Sequence, residues 1–188
     1  MTRVYQFAVQ DGFEWAMPVD EEDFAVFRGF DGTRRRQAWT PIRMRLFHQD
    51  EEGRILVESD FPWLGAYAPV MRDTAIDALG ALFSPQGELL PLSCEEANLH
   101  VFHALTVVDA LDLERSDLVL YPNSDQIMQI KKYAFIAERI RGLTLFKVPR
   151  LLSHSLYITE EVVKAVNRSG LRGVGFRLLW DETVIEDP

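Results

Sequence analysis

The sequence contains one cysteine, Cys94, and four histidines. A lone thiol excludes an intramolecular disulfide framework and a site built from several thiolates. Long apolar runs are also missing. The least charged stretches, 61–71 and 97–108, fall well short of the ~20 residues that span a bilayer, and the first is broken by Pro62 and Pro69. The N-terminus, MTRVYQFAVQDGFEWAMP, has no apolar core, because Gln6, Gln10, Asp11 and Glu14 interrupt it. It therefore does not read as a signal peptide. These absences predict a cytoplasmic protein with no membrane partner, no metal and no cofactor. Basic charge is in short supply: 20 Lys+Arg stand against 29 Asp+Glu, a net charge of −9. General nucleic-acid binding needs a basic surface and is not expected. No internal repeat or long Gly/Ser/Pro linker divides the chain.

What is present suits a folded domain. Apolar residues make up 47% and charged residues 26% of 188, ordinary globular values. A chain of this size buries about 70% of its unfolded surface, enough for a core without staples. One domain is expected over 1–188. Within it, 1–55 forms a strand-rich N-terminal layer, 60–180 the main body and 181–188 an acidic tail. The charged turn Gln49–Gly53 is the weakest joint.

Most segments read as strands: Val4–Val9, Phe13–Met17, Pro41–Phe47, Ile55–Ser59, Glu88–Leu92, Leu99–Val108, Ile127–Phe135, Leu143–Val148 and Gly175–Trp180. Ile42, Met44 and Leu46 alternate with Arg43 and Arg45, the pattern of a half-buried strand with one wet face. Two helices are expected. Asp73–Phe83 carries apolar residues at helical spacing, and Pro85-Gln86-Gly87 ends it. Glu160–Arg168 follows Thr159 as N-cap, has acids in its first turn, and ends at Gly170. Strands dominate and helices do not alternate with them, so the fold class is α+β with a largely antiparallel sheet. Charge is uneven: 61–120 carries −7 and 131–177 carries +7.

Four constellations invite chemistry. Cys94, His100 and His103 offer a nucleophile with bases, or metal ligands. On a strand, however, His100 and His103 point to opposite faces and cannot share an ion. Asp109, Asp112, Glu114 and Asp117 are closely spaced carboxylates without the order of a calcium loop; a turn with local Asp hydrogen bonds is favoured. Gly170-Leu-Arg-Gly173-Val-Gly175 follows a helix and precedes a strand, the reverse of a dinucleotide loop. It reads as a cap and strand entry. Ser153-His154-Ser155 lacks a nucleophile-elbow context. The run Arg34-Arg35-Arg36 reads as solvated charge, and Phe61-Pro-Trp-Leu-Gly-Ala-Tyr67 as core.

An ordered series of motifs runs through the body. It includes Ser59-Asp60-Phe61-Pro62, Ala68-Pro69-Val70-Met71, Gly87-Glu-Leu-Leu-Pro91, Val107-Val-Asp-Ala-Leu-Asp112 with Ser116, and Ile127-Met-Gln-Ile130. Tyr133-Ala-Phe135, Leu145-Phe-Lys147, Tyr157-Ile-Thr159, Gly170-Leu-Arg-Gly173, Phe176 and Trp180 follow. The series resembles the eleventh immunity family of bacterial polymorphic toxin systems, first catalogued as a domain of unknown function. The resemblance covers about Asp60–Trp180. It implies a non-enzymatic antidote that binds a cognate toxin domain, and it supplies no catalytic or metal residues. The matched motifs would maintain the fold, with Asp109 and Asp112 in a turn and Phe146 and Phe176 in the core. The acidic balance fits a basic toxin partner. Candidate contacts are the acidic loop positions Asp20, Glu21, Glu22, Asp23, Glu95 and Glu96. The alternatives are an enzyme using Asp109 and Asp112 with His100 or His103, and a secretion-system adaptor.

Overall fold

In the computed structural model, residues 2–184 are described. Their strands are β1 (Arg3–Ala8), β2 (Trp15–Pro18), β3 (Met44–Phe47), β4 (Val70–Arg72), β5 (Gly87–Pro91) and β6 (Leu99–Ala104). β7 (Asp117–Leu120), β8 (Ile127–Lys132), β9 (Leu145–Phe146), β10 (Tyr157–Thr159) and β11 (Gly175–Asp181) follow. The helices are α1 (Phe24–Arg28), α2 (Asp73–Phe83), α3 (Ala137–Ile140) and α4 (Glu160–Ser169). All seven ladders are antiparallel, so the expected α+β class with two main helices is what forms.

Val4 and Phe7 are both buried, yet on an extended strand they point to opposite faces. The strand carrying them therefore needs cover on both sides. β1 lies inside a sheet of order β11-β1-β10-β9. Tyr157 and Ile158 on β10, and Leu145 and Phe146 on β9, divide between the same two faces. On one side Phe7, Leu145 and Ile158 meet Leu79 and Phe83 of α2 and Val162 and Val166 of α4. On the other, Val4, Phe146 and Tyr157 meet Leu111, Ile127 and Phe135. A second sheet, β4-β6-β5, is shared in the same way. Phe102 and Ala104 face the helices, while Leu99 and Val101 face the N-terminal residues Ala16, Phe27, Phe30, Met44 and Leu46.

Both main helices follow from spacing. Ala75, Leu79 and Phe83 recur every four residues on the buried face of α2. α4 buries Val162 and Val166 and ends at Gly170, whose φ of 66° is the left-handed C-cap. One detail differs. Thr159 has the extended backbone of an N-cap, but its hydroxyl donates to the Thr144 carbonyl at 3.3 Å and caps nothing.

Several expected strands are shorter. Ile55–Ser59 forms no ladder; single bridges tie Ile55 to Gln49 and Val57 to Phe13, because Leu56 N–H turns to the His48 carbonyl and Val57 N–H to the Gly12 carbonyl, so the segment splits its bonds between the residues after β3 and those before β2. The strand expected to reach Val108 stops at Ala104, where Leu105 and Thr106 N–H turn to the Gln86 carbonyl. Strands expected over Ile127–Phe135 and Leu143–Val148 shrink to Ile127–Lys132 and Leu145–Phe146. The acidic tail begins anchored: Asp181 Oδ2 accepts Arg3 Nε at 2.6 Å, and Glu182 Oε2 accepts Thr2 N–H at 2.7 Å. Its last four positions, 185–188, lie outside the described residues.

Candidate binding surface

β2 and β3 pair with Trp15 opposite Phe47 and Pro18 opposite Met44. Ala16, Met44 and Leu46 point into the core, as the alternation with Arg43 and Arg45 predicts. This ribbon is pinned by Glu14, which in the sequence only interrupts the apolar N-terminal stretch. Glu14 is 1% exposed. Its Oε1 accepts Arg72 Nη2 at 2.5 Å, Arg72 Nε at 3.1 Å and Ser59 N–H at 3.1 Å. A buried carboxylate survives only with such partners.

His48 extends the network outward. Its Nδ1 lies 3.5 Å from Glu14 Oε2, and its Nε2 lies 2.6 Å from Glu96 Oε2. Glu96 Oε1 also accepts Leu46 N–H at 3.4 Å. The His48 hydrogen bond holds the Glu96 carboxyl below its ordinary range. Glu96 is thus exposed but engaged, and its neighbour Glu95 is exposed.

Asp20–Asp23 stand at the opposite end of the ribbon. Val19 N–H bonds the Arg43 carbonyl at 2.9 Å, and the chain then enters a 3-10 turn at Glu21–Asp23. Asp20, Glu21 and Glu22 are exposed and Asp23 is half-buried. Among the described residues none of the four forms an ion pair. Asp20 and Asp23 edge a cleft of about 540 Å³ with Arg34, Arg35, Trp39 and Arg43. Three residue steps of strand, ~10 Å, separate the two ends of the ribbon. The structure therefore places the two acidic clusters at its two ends and brings neither onto the other.

The side chains of the catalytic alternative lie in different local settings. His103 is fully buried against Phe30, with ring centroids 4.2 Å apart. Its Nε2 donates to the Thr33 carbonyl at 2.7 Å, which leaves Nδ1 buried without a partner. Burial lowers its pKa, so this ring is held neutral. His100, three residues away on β6, is half-buried. Asp112 Oδ1 accepts the N–H groups of Glu114 and Arg115, both at 3.1 Å, the expected local turn. Asp109 pairs with Arg139 at 3.4 Å. No group of three or more His, Cys, Asp or Glu side chains among the described residues could hold a metal ion. No helix among them is long and apolar enough to cross a membrane.

The arginine run is absorbed by the fold. Glu88 Oε2 accepts Arg35 N–H at 2.9 Å and Arg36 N–H at 3.3 Å, and its Oε1 lies 3.5 Å from Arg34. The glycine motif is equally structural. Gly173 has φ +82°, and a Cβ there would sit 1.9 Å from Ser59 Oγ. Phe176 packs on Phe7 at 5.9 Å.

Residues 91–180 match the model of the immunity protein family Imm11. No curated protein matches the chain. The match begins at Pro91, so β2, β3 and the Asp20–Asp23 turn lie outside it, whereas β6 to β10 and α4 lie within it. The Asp109–Asp112 turn and the Gly170–Phe176 motif fall inside. Over these 91–180 positions the chain is similar to the Imm11 immunity proteins, the family that its motif series resembles.

Proposed function

We propose that this chain is an immunity protein of a polymorphic toxin system. It acts in the cytoplasm by binding a cognate protein toxin, and it does so without covalent chemistry. The Imm11 match over 91–180 carries this reading. Two of the side chains that an enzyme would use, His103 through Nε2 and Asp112 through Oδ1, are engaged locally, which supports it. The −9 balance suits a basic toxin, since opposite charge raises the association rate. Asp20, Glu21, Glu22, Asp23 and Glu95 contribute as exposed steering charges, and Glu96 contributes through the His48 network that shapes the ribbon. Co-expression with the candidate toxin encoded beside the gene tests the function. Survival of cells that the toxin alone kills is expected; death despite soluble expression of both proteins would contradict it.

A further inference from the structure

The outer face of a two-stranded antiparallel ribbon over a core should be polar. Here it is not. Trp15, 41% exposed, stands opposite Phe47 across the β2–β3 register, and both side chains point away from the core. Arg45 lies over the Phe47 ring at 4.8 Å on the same face. Ile55, just beyond, is 79% exposed. Trp15, Phe47 and Ile55 line a groove of about 870 Å³, and Arg45 stands outside its lining.

Its rim is acidic. Asp11, Asp50, Glu51 and Glu52 line it with a single cation, Arg54. That cation is already spent on Asp50 at 2.6 Å and Glu52 at 3.5 Å. The rim is also built in advance. Asp50 Oδ1 accepts the N–H groups of Glu52 at 3.0 Å and Arg54 at 2.9 Å, and Gly53 takes φ +78° to close the turn. A preordered turn loses little entropy on binding. Exposed aromatic and aliphatic anchors inside a charged rim are the composition of a protein-binding hot spot.

We propose that this groove is the toxin-docking surface: it takes a basic face of the toxin domain that inserts one aliphatic or aromatic side chain between Trp15, Phe47 and Ile55. This rests on the immunity reading. The occupant is fixed by charge: Asp11 and Glu51 on the rim have no ion-pair partner among the described residues, which favours Lys or Arg on the partner. The surface lies in the first 60 residues, outside the 91–180 segment that matches the family. The family-like body then serves as the frame, and the part that differs from it chooses the toxin.

Association of the full-length protein with the catalytically inactivated toxin domain encoded beside the gene decides the matter, measured by interferometry at low and high salt. Ile55→Asp is expected to weaken binding at least about tenfold, mainly through faster dissociation. The double reversal Glu51→Lys/Glu52→Lys is expected to slow association at low salt and to flatten the salt dependence. Leu178→Asp, at an exposed position on β11, is expected to leave affinity within about twofold. If the wild type binds and Ile55→Asp stays within twofold of it, the groove is not the docking surface and the immunity reading stands. Unchanged association after the charge reversal overturns the basic occupant, as does an equal loss from Leu178→Asp. A wild-type dimer that Ile55→Asp dissociates assigns the groove to a second copy of the chain and overturns the proposal. If the wild type binds no toxin, the immunity reading fails and the proposal with it.

Discussion

Glu14 and Lys147 are the two charges that the interior holds most completely, and each tests a different rule. Glu14 is matched by Arg72 and Ser59 N–H. Removing one side of a buried ion pair strands the other. Glu14→Ala should therefore lower stability by about 3 kcal/mol in urea unfolding, leaving Arg72 with only the Ser59 carbonyl at 2.9 Å and the exposed Glu58 carboxylate at 4.0 Å. Lys147 has no carboxylate. Its Nζ donates to the Leu152 carbonyl at 2.8 Å and the Phe30 carbonyl at 3.2 Å, and it lies 5.9 Å from the centre of the Phe30 ring. Burial, reinforced by Arg35 and only partly offset by Asp31, lowers its pKa from 10.5 to about 8. Below that value both folded and unfolded chains carry the proton, and the folded state bears the full cost of the buried charge. Between about 8 and 10.5 the folded chain releases the proton while the unfolded chain keeps it, so stability rises with pH. The stability of the wild type relative to Lys147→Met should increase across that window, by on the order of 3 kcal/mol at its upper end. Thermal midpoints at pH 7, 8 and 9 check the direction. Neither burial was legible in the sequence. Glu14 sits between Phe13 and Trp15 like any polar residue of an alternating strand, and its partner is 58 positions away. Lys147 follows Leu145-Phe146 where a wet strand end is equally consistent.

Elements whose signals are local were readable; those made by distant partners were not. α2 runs Asp73–Phe83 as its spacing predicts, and the Gly170 cap and β11 entry follow their turn chemistry. By contrast, Ile55–Ser59 has strand composition but meets its neighbours one residue at a time. The groove it borders was hidden because an exposed Ile55 looks like a buried one in sequence. The glycine motif offers a sharp element-level test. Gly173→Ala both strains a backbone at φ +82° and drives Cβ into Ser59, whose Oγ also accepts Phe61 N–H. A loss of more than about 1 kcal/mol is expected by chemical denaturation. At the far end of the ribbon, reversing Asp20–Asp23 to Lys should slow toxin association severalfold at low salt and little at high salt, with the folded state intact. Glu95→Lys should behave likewise, whereas Glu96→Lys should also cost stability through the His48 and Leu46 contacts. Stopped-flow association and thermal melts separate these effects.

At the scale of the molecule, two sheets buried on both faces join three cores. β1 and β10 link the helical core to the Phe135–Tyr157 cluster, and β6 links it to the N-terminal residues beneath the ribbon. The ribbon is thereby held at the surface, with an acidic cluster at each end and its aromatic side outward. The α+β class was legible because strand-like runs outnumber helical ones without alternating with them. The division into three cores was not, because it depends on which sheet faces are covered. The central claim is that the chain neutralises a toxin by occupying it. Titrating the purified protein into a fixed amount of a candidate toxin domain found encoded beside its gene tests this, with residual toxin activity and the intact mass of the toxin both recorded. Inhibition is expected to be complete at a fixed stoichiometric ratio, with the toxin mass unchanged. Inactivation by a substoichiometric amount, a covalently altered toxin, or full activity at a large excess would contradict it.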